Sequence, residues 1–144
     1  MGLDISAFEE RLLGRGFAQL IGVRLVDLDE GFCRLRLPFK AQLSRGDNLI
    51  HGGVIAALID KAGTAAAWSY ADIGKDARGA TIALSVNYLR GADSCDLIAE
   101  GQVVRRGGTI TVADVEVKND SGDLIAKGPV TYKLSRPTIC KPST

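Results

Sequence analysis

Asp60 is the residue that packing explains least. It stands in the stretch from Gly53 to about Tyr70, where Val54, Ile55, Ala57, Leu58, Ala62, Ala65, Ala66, Ala67 and Trp68 leave almost no polar face. An ionised carboxylate in apolar surroundings is costly unless it is paired or opens onto water. On a helix its same-face neighbours are Gly53, Ala56, Ala57 and Thr64, none of them a cation. Asp60 therefore either lines a wet cleft or meets an arginine from elsewhere in the chain. In a cleft it can serve as a general base on water or as a nucleophile on an activated carbonyl. His51-Gly52-Gly53 leads into the same helix. The first N–H groups of a helix have no internal partner, and a glycine lets a ligand oxygen reach them. The Gly53 N–H is thus a candidate donor to an oxygen that gains negative charge, with Gly52 beside it on the substrate side. One such donor contributes roughly 2.7–4 kcal/mol to a transition state. The plain alternative is a glycine start to a tightly packed helix.

Spacing constrains how these groups cooperate. Gly53 and Asp60 are seven residues apart, about 10.5 Å along a helix axis. A single carbonyl must lie within about 3 Å of both the donor and the attacking group. Two antiparallel helices related by a dimer two-fold would bring Gly53 of one chain near Asp60 of the other, so a composite site in a homodimer is expected. His51 is the only histidine, and no acid cluster shows ligand spacing, so no metal site is expected. Its ring can bond loop backbone or orient a substrate. Thr64, one turn after Asp60, either touches substrate or bonds back to a helix carbonyl.

The elements that must position these residues follow from periodicity. Ile5, Phe8 and Leu12 share one face of a short N-terminal helix, with Ser6 and Glu9 at capping-box spacing and Gly14 and Gly16 as its stop. Two strand-like runs lie between Leu20 and Leu37, parted by Asp29-Glu30-Gly31; in the second, Cys33, Leu35 and Leu37 alternate with Arg34 and Arg36. After the central helix, Ile82, Leu84, Val86 and Tyr88 alternate with Thr81, Ala83, Ser85 and Asn87. Further runs span Leu97 to Arg105, Thr109 to Lys118 and Leu124 to Leu134, with turns at Gly107-Gly108 and Asn119 to Gly122. Such short turns imply antiparallel pairing, since parallel crossovers need about a dozen residues. The expected architecture is α+β: about five or six antiparallel strands curled around one buried helix.

Composition sets the outer bounds. The 144 residues fit one domain, and 18 Lys+Arg against 17 Asp+Glu give a formal charge of +1, without the basic face that nucleic acid or an anionic membrane requires. Cys33, Cys95 and Cys140 are odd in number and widely spaced, which reads as reduced thiols in a cytoplasmic protein. No signal peptide or membrane span is expected; Gly2 and Ser6 satisfy only the loose myristoylation pattern. The tail over 135–144, with Pro137 and Pro142, is expected to fray. No Gly-x-Ser-x-Gly elbow occurs, against a Ser-His-Asp hydrolase.

The run Asn48-Leu49-Ile50-His51-Gly52-Gly53-Val54-Ile55-Ala56-Ala57-Leu58-Ile59-Asp60 resembles the signature of hotdog-fold acyl-CoA thioesterases of the phenylacetic-acid-degradation (PaaI-like) type. That signature is His-Gly-Gly at the entrance of the central helix with an acid nine residues after the His. Thr81 to Leu89 and Arg105-Arg106-Gly107-Gly108-Thr109 are also similar, so the resemblance covers roughly residues 15 to 134. It implies hydrolysis of an acyl-CoA to a carboxylic acid and free CoA, in a homodimer or a dimer of dimers. No cofactor is implied beyond the CoA of the substrate. His51 is implied to position substrate and the Gly-Gly turn, and Thr81 to hold the attacking water. Many relatives carry an Asn six residues before the His; Arg45 stands there, so either Asn48 takes over or that contribution is missing. Arg90, Arg105 and Arg106 are candidates for the CoA phosphates. A hotdog hydratase or dehydratase and a non-catalytic acyl-CoA-binding module are the competing functions.

Overall fold

Alternating side chains in the second half of the chain form long antiparallel strands, and the Ala-rich stretch between them forms the helix they enclose. In a computed structural model, which describes residues 2–135, the chain begins with α1 (Ile5–Leu12) and α2 (Gly16–Ile21). Strands β1 (Arg24–Asp29) and β2 (Phe32–Leu37) follow, then a short 3-10 turn at Ala41–Leu43 and the long helix α3 (Gly52–Ala67). The remainder is β3 (Arg78–Leu84), β4 (Asn87–Tyr88), β5 (Leu97–Arg106), β6 (Ile110–Asn119) and β7 (Leu124–Ser135). The sheet is seven-stranded in the order β1-β2-β5-β6-β7-β3, with β4 also on β7, and every pairing is antiparallel. The expected α+β layout is present.

The inner face of the sheet is the alternating set: Cys33, Leu35 and Leu37 on β2, and Thr111, Ala113, Val115 and Val117 on β6 are all buried. Small residues let α3 press close. A Cβ on Gly101 of β5 would overlap the Ala62 carbonyl, and one on Gly63 would come within 2.6 Å of the Val130 side chain. Burial pushes the Cys33 thiol up to about 12, with Asp27 adding to it, so this cysteine is an inert part of the core.

Several sequence expectations need correction. The N-cap of α1 is Asp4, which accepts from the Ala7 N–H at 3.1 Å, not the Ser6–Glu9 pair. The short N-terminal helix stops before Gly14 as expected, but Gly16 starts a second helix rather than a strand-like run, and Gly22, with φ of +89°, ends it. Strands number seven, not five or six, because the run from Arg78 to Tyr88 is cut at Ser85-Val86. There its partner β7 presents Gly128, whose Cβ would overlap the Ser85 carbonyl, and Pro129, which has no N–H to donate. Finally, α3 is not enclosed along its whole length. From Ala62 to Ser69 every residue is buried, but Gly53, Ala56, Ala57, Asp60 and Lys61 form an open stripe along its first half. Ser135, the first residue of the expected fraying tail, instead ends β7 paired with Arg78; the rest of that tail and Cys140 lie outside the described residues.

The sheet edge beside that stripe is also open. On β3 and β4 and just beyond, Ile82, Leu84, Tyr88 and Leu89 are each at least 40% exposed. An apolar edge strand with unpaired backbone groups is a pairing surface that folded proteins normally cover.

Candidate active site

The start of α3 is built by two clamps on one peptide unit. His51 is the N-cap, and its Nδ1 accepts from the Gly53 N–H at 2.8 Å. An Nδ1 that accepts leaves the ring proton on Nε2. On the other side of the same peptide, the Tyr88 hydroxyl donates to the Gly52 carbonyl at 2.6 Å. The His51 carbonyl takes the N–H groups of Val54 (2.9 Å) and Ile55 (3.3 Å), and the His51 N–H goes to the Leu43 carbonyl at 2.9 Å. The Gly52 N–H has no acceptor among the described residues, and its direction is fixed by these bonds.

The Gly53 N–H is already held by the imidazole, so the group open to an incoming oxygen is the Gly52 N–H. At the Gly-Gly turn His51 is bound to the Gly53 N–H through Nδ1. Sequence reasoning passed over Tyr88, because nothing local says that a strand tyrosine reaches back to a helix start.

Asp60 lies on the open stripe of α3, half-buried. The Thr81 hydroxyl on β3 donates to its Oδ1 at 2.6 Å. No ion pair to Asp60 occurs among the described residues. Of the two readings left open, the paired acid is therefore not seen. The carboxylate borders a cleft of about 390 Å³ whose apolar wall includes Phe17 and Ile21 of α2 and whose cations are Arg11, Arg15 and Lys61. Burial holds the Lys61 ammonium below the ordinary lysine range; Asp60 opposes that shift and Arg15 adds to it.

The other candidates divide. Thr64 is buried at 8% exposure one turn beyond Asp60, and its hydroxyl makes no hydrogen bond among the described residues. Asn48 is exposed, and its backbone carbonyl receives the Ser94 N–H at 2.9 Å; no contact of its side chain with Gly52 or Asp60 is present. Arg45, at the position where the resemblance implies an Asn, closes its own loop through Asp47 at 2.9 Å. Arg90 bridges Asp123 at 3.4 Å. Arg106 is committed to structure: it pairs with Asp72 at 2.6 and 3.2 Å, and its guanidinium lies 3.8 Å from the Tyr70 ring centroid. Arg105 is exposed at the end of β5 and has no carboxylate partner among the described residues.

Gly52 and Asp60 are eight residues apart on one continuous helix, about 12 Å along its axis. The donor and the carboxylate of one subunit cannot both touch one carbonyl group.

An antiparallel sheet curled on a helix, with a glycine-started helix entrance and a half-buried acid two turns on, defines the hotdog class. Residues 47–126 match the thioesterase superfamily profile. A candidate esterase of Halobacterium salinarum is 42% identical over 105 residues, 71% of this chain and 69% of its own length. The acyl-coenzyme A thioesterase PaaI of Escherichia coli K12 is 28% identical over 110 residues, covering 76% of this chain and 75% of that one. A conserved protein of Pseudomonas aeruginosa superposes with a TM-score of 0.77 at 28% identity, over 87% of this chain and 98% of the other. The chain belongs to the thioesterase superfamily, as a PaaI-like hotdog member. Among the described residues no helix is long and apolar enough to cross a membrane.

Proposed function

We propose that this protein is an acyl-CoA thioesterase whose site is shared between two subunits. The observation that carries the reading is Asp60: a half-buried carboxylate on an open cleft, with no cation paired to it among the described residues and Thr81 bonded to one oxygen. Thr81 donates to Oδ1, which leaves Oδ2 and the lone pairs of the threonine hydroxyl to accept the two hydrogens of a water. Asp60 takes one of those protons as the water oxygen attacks the thioester carbon. Negative charge moves to the carbonyl oxygen and is received by the Gly52 N–H of the second subunit, aligned with the positive end of its helix. The intermediate collapses by breaking the carbon–sulfur bond. The CoA thiolate leaves and takes up the proton held by Asp60, giving a carboxylic acid and free CoA. This placement of Thr81 favours water activation over attack by Asp60 itself.

The second subunit is supported by the exposed apolar edge of β3 and β4, the open stripe on α3, and the 12 Å problem that only another helix solves. Arg105 remains the candidate for the CoA phosphates. The test is release of free thiol from a panel of acyl-CoA esters. Thiol release supports the reading; hydration without thiol release would move the protein to the hydratases, and binding without either would leave an acyl-CoA-binding module.

Tyr88→Phe removes the hydroxyl that holds the Gly52 carbonyl and leaves the ring. The expected result is a fall in kcat of about three- to tenfold with KM held, the worth of one hydrogen bond, and an unchanged melting temperature. Equal loss in Tm would reduce Tyr88 to packing.

A further inference from the structure

The cations around Asp60 exceed what the protein needs to balance it. Arg11, Arg15 and Lys61 border the cleft with a single carboxylate, Asp60. Elsewhere, Arg24, Arg78 and Arg105 have no ion pair among the described residues, but Arg34, Arg36, Arg45, Arg90 and Arg106 each bridge to Asp or Glu. None of the three at the cleft does so among the described residues. The two arginines are held instead by neutral groups. Arg11 donates to the Ala77 carbonyl at 2.8 Å and lies 4.2 Å over the Trp68 ring, while Arg15 Nε donates to the Arg11 carbonyl at 3.2 Å. Lys61 is half-buried on the open stripe of α3. Three cations beside one carboxylate, with Arg11 and Lys61 partly out of water and Arg11 and Arg15 fixed by neutral partners, form a receptor for an anion.

The cleft adjoins Asp60, so it is open to the acyl chain of a thioester attacked there. Its wall is apolar at Phe17 and Ile21, and its cationic cluster starts one residue from Asp60. A volume of about 390 Å³ suits a short acyl group.

Resting on the thioesterase reading, we propose that the cleft selects acyl groups ending in a carboxylate, the half-thioesters of short dicarboxylic acids, with their methylenes against Phe17 and Ile21 and their carboxylate at Lys61, Arg15 and Arg11. The phosphates of CoA are a second anion of the same charge, and the test separates the two sources.

Adipyl-CoA and heptanoyl-CoA differ mainly in the terminal charge. The same two acyl groups are also presented on N-acetylcysteamine, which carries no phosphate. The expected result is a kcat/KM ratio, adipyl over heptanoyl, of about ten or more on both carriers, and a ratio lowered to near unity by Lys61→Met combined with Arg15→Leu. A ratio of one or less on both carriers overturns the proposal, as does a preference that vanishes on N-acetylcysteamine, since the cations would then read phosphate. Binding of the two CoA esters to the Asp60→Asn protein is measured alongside. A protein that hydrolyses neither ester but binds adipyl-CoA preferentially refutes the thioesterase reading and retains the carboxylate site; one that hydrolyses both equally does the reverse.

Discussion

Asp60→Asn is expected to lower kcat by about 10²–10⁴, the range that a positioned general base supplies, while KM and the melting temperature stay close to wild type. Asn has the shape of Asp and can turn its amide oxygen to the Thr81 hydroxyl, so the bond at Oδ1 survives and the side chain remains in its half-buried place. What is lost is the second oxygen as a proton acceptor. A purely structural acid would behave differently. Removing a paired buried carboxylate destabilises strongly because its partner is stranded, but no cation is paired with Asp60 among the described residues. Loss of activity with retained stability is therefore the specific signature of catalysis. Retained activity would remove Asp60 from the mechanism.

Gly52→Pro is expected to cost about 10²–10³ in kcat, the loss measured when one oxyanion donor is removed. The substitution is chosen because it deletes one N–H and little else. Gly52 is the first residue of α3, where proline is tolerated because that N–H has no helical acceptor. His51 already has ψ of 133°, the extended conformation that proline demands of its predecessor. A Cβ at Gly52 would meet the Tyr88 ring at 3.4 Å, a contact that a small shift of this exposed side chain accommodates. Gly53→Ala acts by another route. Its Cβ would come within 2.8 Å of His51 Nδ1 and push the imidazole off the N–H it caps. If Gly53 were the donor, Gly52→Pro would leave the rate nearly untouched.

Much of the scaffold was legible because burial imposes local periodicity. The alternation at Cys33, Leu35 and Leu37, the apolar run of α3 and the turns at Gly107-Gly108 and Asn119 to Gly122 all announce themselves within a few residues. The His51–Asp60 segment was legible for the same reason: its chemistry lies along a single helix. What escaped depends on contacts between distant segments. The break between β3 and β4 is dictated by Gly128 and Pro129, some forty residues further on. The choice of Gly52 over Gly53 depends on where one imidazole nitrogen points. Arg106 looked free beside its turn, yet Asp72 and Tyr70 of the segment after α3 occupy it. The cations of the cleft were invisible as a group because α1 and α2 bring Arg11 and Arg15 against Lys61 only in the folded chain.

The shared site is the claim on which the mechanism depends, and mixing two inactive variants tests it most directly. Asp60→Asn and Gly52→Pro proteins, each purified alone, are unfolded together and refolded so that subunits exchange. In a mixed dimer one site combines both defects, and the other joins an intact Asp60 to an intact Gly52. The account predicts that thiol-releasing activity returns on mixing, to about a quarter of wild type for random pairing of equal amounts with a two-fold dimer. If the mixture stays as inactive as its components while mixed dimers demonstrably form, each site lies within one subunit and the account is contradicted.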